Sequence, residues 1–327
     1  MSDLVDLVEG GMPPLFIERL QQILPLDLVK GCLSTFSQSA AVGFRVNTLK
    51  AAAVDSTIEE LTSDGLDITA MAWPEGGHHV PAQQRAALTR SAACLDGHIY
   101  VQTPSSMVAP VLLDPQADEW ILDLAAAPGG KTTHLAALMG NDGRISAVES
   151  VRSRFHRMRA NLERCGVSNT KTYLKDGTKV WRQCPQQFDR VLLDAPCSSE
   201  GRFHIDEPDR HAYWSVKKIR EMNRKQRRLM YSAVRCLKPG GILVYSTCTF
   251  APEENEAVIH RALEQFGTAL EVESITLPEA PNVSPGLTSW QNTEFDHRVE
   301  RGVRIVPDGI MEAFFVTVLR KCASTED

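Results

Sequence analysis

The sequence predicts an α/β protein in which a doubly wound, mostly parallel sheet follows a smaller α+β module. From about residue 98 onward, short apolar segments alternate with segments of helical periodicity. This alternation is typical of a parallel sheet with helices on both faces. Before residue 98, helical and strand-like segments are mixed without that alternation. We therefore divide the chain into residues 1–97 and 98–323.

The N-terminal module is predicted to start with a helix. Apolar residues of segment 14–24 fall on one helical face, and Pro25 is expected to end that helix. Ser56 and Glu59 have the spacing of a capping box, which predicts a helix over 56–61 with Ser56 at its N-cap. The predicted strands of this module cover residues 42–49 and 67–72.

The second part of the chain contains five predicted strands that alternate with helices. The strands cover residues 120–124, 144–149, 170–174, 188–194 and 242–246, and the helices cover 131–139, 151–165, 217–236 and 253–266. Segments 302–306 and 313–319 are predicted to form a terminal, antiparallel strand pair. Ligands of such sheets bind beyond the carboxyl ends of the strands. We therefore expect Asp123, Glu149, Asp194 and 246–248, which all follow strands, to lie together.

Composition and charge limit the classes of protein. The 327 residues carry a net charge of −6 and include no apolar run long enough to cross a bilayer. The first residues are acidic and do not resemble a signal peptide, so we expect a cytoplasmic, membrane-free protein, and a monomer as the simplest assembly. The negative charge disfavours nucleic-acid binding, yet segment 217–235 carries eight Lys and Arg against one acid, Glu221. This segment is either a local phosphate-binding stripe or a solvated helix face.

The eight cysteines show no C-x-x-C spacing, which argues against a zinc ribbon and a redox pair. We predict no metal site and no disulfide framework. Six cysteines are interpreted as small buried apolar residues. They are Cys32, Cys94, Cys165, Cys184, Cys236 and Cys322.

A small-residue loop, 123–132, joins a predicted strand to a predicted helix. Its paired glycines allow a tight turn, and the amides of the helix start favour an anionic group of a ligand. Glu149 lies about twenty residues beyond the loop, as expected for a carboxylate that binds ribose hydroxyls. Asp176 follows the next strand and is either a hydrogen-bond acceptor for an adenine amino group or part of an ordinary Asp-Gly turn. The ligand is a dinucleotide or S-adenosylmethionine, and the absence of G-x-G-x-x-G weakens the first.

Two cysteines follow buried strands, Cys197 in 194–198 and Cys248 in 246–249. A thiolate that adds to C6 of cytosine makes C5 nucleophilic, so that C5 can take a methyl group from a sulfonium. A base then removes the C5 proton and the thiol leaves. The reaction also needs a group that holds the N4 amino group, and Asp194 is placed for that role. A second cysteine could assist release of the product.

Three motifs resemble the diagnostic motifs of the Sun-type (nucleolar-protein/Sun family) RNA cytosine-5 methyltransferases, and the resemblance is closest to bacterial ribosomal RNA members. They are Asp123-Leu-Ala-Ala-Ala-Pro-Gly-Gly-Lys-Thr132, Asp194-Ala-Pro-Cys-Ser-Ser-Glu-Gly201 and Tyr245-Ser-Thr-Cys-Thr-Phe250. Segments 44–50, 100–107 and 251–256 continue the similarity, whereas 311–315 departs from the family's Asp-Gly-Phe-Phe.

The resemblance implies a Rossmann-like methyltransferase sheet, S-adenosylmethionine as cofactor and an N-terminal RNA-binding module in which Arg45 and Asn47 are candidates for RNA contact. It implies that Cys248 is the nucleophile, that Cys197 releases the product and that Asp194 orients the base and touches the cofactor. The residues assigned to the cofactor are Ala125, Ala126, Ala127, Pro128, Gly129, Gly130, Lys131, Glu149, Asp176 and Asp194.

Four alternatives remain at this point. A nicotinamide-dependent oxidoreductase on the same fold would give the two cysteines no role. A non-catalytic RNA-binding protein with a retained cofactor pocket would not need them either. A DNA cytosine-5 methyltransferase shares the chemistry, but the Thr247-Cys248 motif favours RNA. Among RNAs, ribosomal RNA is the first expectation and transfer RNA the alternative, and the target cytosine must be unpaired or flipped out.

Overall fold

The computed structural model describes residues 11–277 and 282–325. The first part of the chain forms five helices and a small antiparallel sheet. The helices are α1 (Pro14–Ile23), α2 (Leu26–Thr35), α3 (Val54–Ser63), α4 (Arg85–Arg90) and α5 (Ala92–Leu95). The strands are β1 (Val42–Val46), β2 (Thr69–Ala70), β3 (Gly77–Val80) and β4 (Ile99–Val101), in the order β2-β3-β1-β4. The small sheet therefore takes in β4, which lies C-terminal to residue 97.

Two local predictions for this part have definite outcomes. Pro25 separates α1 from α2, as expected for a residue that cannot continue a helix. The predicted capping box is wrong, because α3 begins at Val54 with Ala53 at its N-cap. The hydroxyl of Ser56 lies inside the first turn and donates to the Ala53 carbonyl oxygen at 3.1 Å. A serine that bonds backward to a carbonyl cannot cap the amides ahead of it.

The second part of the chain forms the large sheet. Its strands are β5 (Trp120–Asp123), β6 (Arg144–Glu149), β7 (Thr170–Leu174), β8 (Phe188–Asp194), β9 (Leu237–Thr247), β10 (Leu270–Glu273), β11 (Val283–Pro285), β14 (Val303–Ile305) and β15 (Phe314–Lys321), while β12 (Ser289–Trp290) and β13 (Thr293–Glu294) form a separate hairpin. The order is β11-β14-β15-β9-β8-β5-β6-β7, and β10 also pairs with β15. Strands β5 to β9 are parallel, and β15 is antiparallel to β9. The predicted doubly wound sheet and terminal strand pair are confirmed.

Five helices connect or cover these strands. They are α6 (Pro104–Leu113), α7 (Gly130–Leu138), α8 (Arg152–Arg164), α9 (Val216–Cys236) and α10 (Glu256–Phe266). The C-terminal parts of β8 and β9 are buried, and Val191, Leu193 and Tyr245 are wholly inaccessible to solvent. Burial on both faces explains the continuous apolar runs 191–193 and 242–245 in these strands. Strand β9 begins at Leu237, five residues before the predicted strand, because Leu237 pairs with Phe188.

The chain order reverses at β5, which pairs with β6 on one side and with β8 on the other. Loops leaving a sheet at such a switch point diverge and leave a crevice between them. The strand-end residues singled out in the sequence all lie at this edge of the sheet. No helix within the described residues is long and apolar enough to span a membrane.

Candidate active site

A cavity of about 420 Å³ lies at the carboxyl ends of β5, β6, β8 and β9. It is lined by six of the residues assigned to the cofactor, which are Ala125, Ala127, Pro128, Glu149, Asp176 and Asp194. Cys197 and Cys248 line the same cavity. The fold therefore brings both predicted sets of residues into one space.

The other four residues assigned to the cofactor do not line this cavity, and three of them shape its walls. Ala126 is buried, and its amide donates to the Val148 carbonyl oxygen at 2.9 Å. Gly129 has φ +101° and precedes α7. A Cβ atom on Gly130 would lie 3.0 Å from the Tyr100 ring. The glycine pair is thus needed for a left-handed turn and a close approach.

The fourth residue, Lys131, reaches Asp194 at the start of the Cys197 loop. Its Nζ atom lies 2.6 Å from Oδ2 of Asp194 and 2.7 Å from Oγ of Ser106. Oδ1 of Asp194 accepts a hydrogen bond from the Ser246 hydroxyl at 2.9 Å. These contacts fix the orientation of the Asp194 carboxylate beside the cavity. Lys131 is therefore a partner of Asp194.

Two carboxylates lie at the strand ends on the β6 and β7 side. Glu149 is buried, and its Oε1 atom accepts the Val151 amide at 2.7 Å, while Oε2 lies 3.7 Å from the Arg154 guanidinium. Asp176 accepts the amide and hydroxyl of Thr178 at 3.0 and 2.8 Å. Asp176 thus caps a turn and lines the cavity at once, so the two interpretations of this residue are compatible.

The two strand-end cysteines are in direct contact, with their Sγ atoms 3.4 Å apart. The hydrogen bond from Cys197 and the charge of Arg202 outweigh burial and lower the pKa of Cys248 to about 7. The same hydrogen bond and burial raise the pKa of Cys197 well above its usual value. The Cys248 thiol therefore loses its proton more readily than the Cys197 thiol. A thiolate is the nucleophilic form of cysteine.

Sequence reasoning did not single out Arg202, which follows the second motif directly and lines the cavity. The negative charge of Cys248, followed by those of Glu312 and Asp194, raises the pKa of Arg202, so this side chain stays cationic. The second motif contained a signal for Arg202, because Gly201, its last residue, has no side chain and lets the chain approach Cys248. The Gly201 amide donates to the Cys248 carbonyl oxygen at 3.0 Å.

The prediction that Arg45 and Asn47 contact RNA is wrong, because both side chains are buried in protein contacts. Arg45 is 3% exposed and donates to the Thr133 hydroxyl at 2.7 Å. Asn47 is wholly buried and donates to the carbonyl oxygens of Gly97 and Cys165. These residues join the N-terminal module to the large sheet. Buried polar groups that bond to protein atoms serve the fold, and of these two side chains only Nη1 of Arg45 lacks a hydrogen-bond partner among the described residues.

Basic side chains form part of the cavity wall. Lys225 of α9, together with Arg154 and Arg157 of α8, lines it. The exposed basic residues of the two helices are Arg152, Arg154, Arg157, Arg159, Lys217, Arg220, Arg224, Lys225, Arg227 and Arg228. Helix α8 was overlooked in the sequence, although its run of arginines was a visible signal. This rim of the α8 and α9 side chains is hereafter called the basic rim.

The doubly wound sheet and the cavity at its switch point are typical of Rossmann-like methyltransferases, and the comparisons with known proteins agree with this class. The chain belongs to the family described as 16S rRNA methyltransferase RsmB/F, which matches residues 110–320. This membership removes the nicotinamide-dependent alternative.

Individual relatives cover nearly the whole chain. Ribosomal RNA small subunit methyltransferase F of Vibrio campbellii is 37% identical over 320 residues, which are 96% of this chain and 64% of the relative. The protein of the same name from Vibrio vulnificus strain YJ016 is 39% identical over 96% of this chain and 65% of the relative. The chain thus spans slightly less than two thirds of the length of these relatives.

Two solved structures from Pyrococcus horikoshii share the fold. A methyltransferase homologue protein superimposes with a TM-score of 0.83 at 34% identity and covers 98% of this chain and 99% of that one. NSun6, solved with SFG, superimposes with a TM-score of 0.80 at 24% identity and covers 95% of this chain and 99% of that one.

Proposed function

We propose that this chain is an S-adenosylmethionine-dependent RNA cytosine-5 methyltransferase that acts on small-subunit ribosomal RNA. The observation that carries the proposal is the pair of thiols 3.4 Å apart, of which Cys248 has a pKa of about 7. The relatives, each a ribosomal RNA small subunit methyltransferase F by name, support ribosomal RNA as the substrate. Transfer RNA is the alternative substrate.

The cavity suits S-adenosylmethionine in size and in chemistry. A volume of about 420 Å³ lies within the range of ligand pockets. Glu149 and Asp176 place carboxylates where ribose hydroxyls and an adenine amino group would need acceptors. The small residues 125–130 let the backbone approach the ligand. When bound, the cofactor supplies an electrophilic methyl group on a sulfonium.

The side chains of this protein account for the remaining steps. The Cys248 thiolate adds to C6 of the cytosine, and the C5–C6 double bond moves its electron pair toward C5 and the ring. Asp194, held by Lys131 and Ser246, accepts a hydrogen bond from the N4 amino group. After methyl transfer, a water molecule takes the C5 proton and the electron pair of that C–H bond restores the C5–C6 double bond. The C6–S bond breaks with its electrons on Cys248, and the Cys197 thiol donates a hydrogen bond to the departing thiolate. The high pKa of Cys197 keeps its proton during the first step.

The basic rim supports a nucleic-acid substrate. Arg154, Arg157 and Lys225 of α8 and α9 line the cavity, so an RNA strand whose cytosine enters it would meet cationic side chains. Phosphate contacts of this kind provide affinity without reading the sequence. The cytosine must leave its stack to reach Cys248.

Three further proposals accompany this function, on the domains, the oligomeric state and the location of the protein. We propose that residues 1–97 form an RNA-binding module and 98–323 the catalytic domain. We also propose that the protein acts as a monomer in the cytoplasm, where bacteria assemble their ribosomes. Sedimentation with and without RNA tests whether the protein is a monomer, and fractionation of cells tests whether it lies in the cytoplasm.

The test uses radiolabelled S-adenosylmethionine and RNA that lacks 5-methylcytosine. Wild type is expected to label cytosine at C5, Cys248→Ala to label nothing, and Cys197→Ala to accumulate a protein–RNA adduct that survives denaturing electrophoresis. Cys322→Ala is the control, because Cys322 is exposed and lies outside the cavity. Parallel arms with small-subunit ribosomal RNA and transfer RNA identify the substrate.

Full activity of Cys248→Ala would contradict the assignment of the nucleophile. Cofactor binding without labelling of any RNA by wild type would favour the non-catalytic RNA-binding alternative. Labelling of transfer RNA alone would overturn the ribosomal substrate and leave the chemistry intact.

A further inference from the structure

Each cysteine loop carries a buried glutamate that the mechanism does not use. Glu200 follows Cys197 by three residues and is 2% exposed. Glu254 follows Cys248 by six residues and is wholly buried. Burial raises the pKa of both carboxyl groups, that of Glu254 to about 8. Burying a carboxyl group costs free energy unless its hydrogen bonds are made, so the partners of both groups indicate their purpose.

Glu254 is bonded to the loop of the other cysteine. Its Oε2 atom accepts the Ser198 amide at 3.0 Å, directly after Cys197. The Gln226 side chain of α9 donates to the same oxygen at 2.8 Å and to the Pro196 carbonyl oxygen at 3.0 Å, directly before Cys197. The backbone on both sides of Cys197 is therefore tied to Glu254, one side directly and one through Gln226.

Glu200 makes the reciprocal connection to the Cys248 loop. Its Oε2 atom accepts the Thr249 hydroxyl at 2.7 Å and the amides of Phe250 and Ala251 at 3.0 Å each. Its Oε1 atom accepts the Trp214 indole N–H at 2.7 Å. The three residues after Cys248 are thus held by a side chain from the Cys197 loop.

We propose that Glu200 and Glu254 are crossed positioning residues, in which each glutamate places the cysteine of the opposite loop. Hydrogen bonds within one loop would move with that loop, whereas hydrogen bonds between the two loops set the distance between the two thiols. Two shorter links support the same geometry, because the Ser198 and Thr249 hydroxyls lie 2.8 Å apart and Gly201 donates to the Cys248 carbonyl oxygen. Misplacing a reacting atom by about 1 Å costs about a hundredfold in rate.

The proposal rests on the proposed function, since it assigns Glu254 to product release through Cys197 and Glu200 to nucleophilic attack through Cys248. It therefore predicts opposite defects. Glu254→Ala is expected to form the adduct and to release it at least tenfold more slowly, as Cys197→Ala does. Glu200→Ala is expected to form at least tenfold less adduct and product, as Cys248→Ala does.

The experiment compares trapped adduct with released product for the full chain, labelled cofactor and substrate RNA. Glu254→Gln and Glu200→Gln keep an acceptor oxygen and should restore most of the activity. Glu253→Gln is the matched control, because the neighbouring Glu253 pairs with Arg19 and bonds to neither cysteine loop. Cofactor affinity and cooperative thermal unfolding show that each variant is folded. If an alanine variant does not fold, Glu254→Asp and Glu200→Asp carry the same prediction, since the shorter side chain cannot reach its donors.

Equal losses of adduct and product in both glutamate variants would overturn the crossed assignment, as would the reverse pattern or a failure of the glutamine variants to restore activity. The two cysteine variants separate this outcome from failure of the proposed function. If Cys197→Ala does not trap an adduct or Cys248→Ala still forms one, the proposed chemistry fails. If they behave as expected and the glutamate variants do not differ, only the positioning proposal fails.

Discussion

The Sγ atoms of Cys197 and Cys248 lie 3.4 Å apart although 51 residues separate them in the chain. The contact makes the two thiols unequal. One proton shared across it stabilises the thiolate of Cys248 and disfavours that of Cys197. The roles that we propose, Cys248 as nucleophile and Cys197 as hydrogen-bond donor to the departing thiolate, therefore depend on this hydrogen bond and on the nearby cation, Arg202.

The pH dependence of the reaction should report on Arg202. The pKa of Cys248, about 7, is lowered by Cys197 and by the charge of Arg202. Activity that needs the thiolate falls as pH drops below that pKa. Removing the charge in Arg202→Gln raises the pKa, so the acidic limb of the kcat profile should move up by about one pH unit. Arg202→Lys should keep the limb near its original position, and an unmoved limb in Arg202→Gln would refute the role of this cation.

Cofactor affinity should depend on Glu149. Its buried carboxylate lines the cavity at the end of β6. Glu149→Gln is expected to weaken binding of S-adenosylmethionine by about tenfold, since loss of a charge-assisted hydrogen bond costs about 1.5 kcal/mol. Isothermal titration measures this directly. Glu163→Gln, an exposed site on α8, should leave the affinity unchanged.

The salt dependence of RNA binding should identify the basic rim. The double variant Arg157→Gln/Lys225→Gln removes two cations that line the cavity. Each lost phosphate contact lowers the slope of log affinity against log salt by about 0.7 for single strands, so the slope should fall by about 1 to 1.5. Fluorescence anisotropy at several salt concentrations measures it.

The control for this series lies at the other end of the sheet. Arg320 is exposed and sits opposite Ile242, far from the carboxyl end of β9. Lys238 is at the start of the same strand. Lys238→Gln/Arg320→Gln changes the net charge equally and should leave the slope intact. Equal effects of the two double variants would mean that net charge, and not the rim, governs RNA binding.

Gly201 should tolerate no side chain. An added Cβ would lie 2.7 Å from the Cβ of Ala313 and 3.1 Å from the Cys248 carbonyl oxygen. Gly201→Ala is expected to destabilise the fold by about 1–3 kcal/mol and to lower kcat by displacing the Cys248 loop. Gly31→Ala in α2 meets open space and should stabilise by about 0.5–1 kcal/mol. Thermal unfolding of both variants tests the contrast, and a stable, fully active Gly201→Ala would contradict it.

Buried Asp123 should make stability depend on pH. Burial raises its pKa to about 7, although the Thr132 hydroxyl donates to it at 2.7 Å. Because the pKa of Asp123 is higher in the folded than in the unfolded protein, its protonated carboxyl contributes fully to the free energy of unfolding below pH 4. This contribution, about 4 kcal/mol in total, is lost as pH rises toward 7.

Asp123→Asn keeps the acceptor oxygen and cannot ionise. Its free energy of unfolding relative to wild type should therefore increase between pH 4.5 and 7.5, as urea denaturation at both values would show. A constant difference would mean that the pKa of Asp123 is not raised in the folded protein.

The sequence by itself determined the alternation of strands β5 to β9 with helices α7 to α10 and the polar residues that follow those strands. The bounds of strand 188–194 were predicted well, because burial on both faces of the sheet selects consecutive apolar residues such as those at 191–193. Cys197 and Cys248 could be singled out because each follows such a strand. Parallel topology alone then brings their loops to one edge of the sheet.

The tertiary structure decided what each polar residue contacts. Arg45 and Asn47 belong to a motif that suggested RNA contact, but packing between the two parts of the chain buries them. Glu200, Arg202 and Glu254 come close to the two cysteines only because two loops distant in sequence meet in the fold. Hydrogen bonds and desolvation between such loops depend on distances of tenths of an ångström, and no periodicity in a sequence encodes these distances.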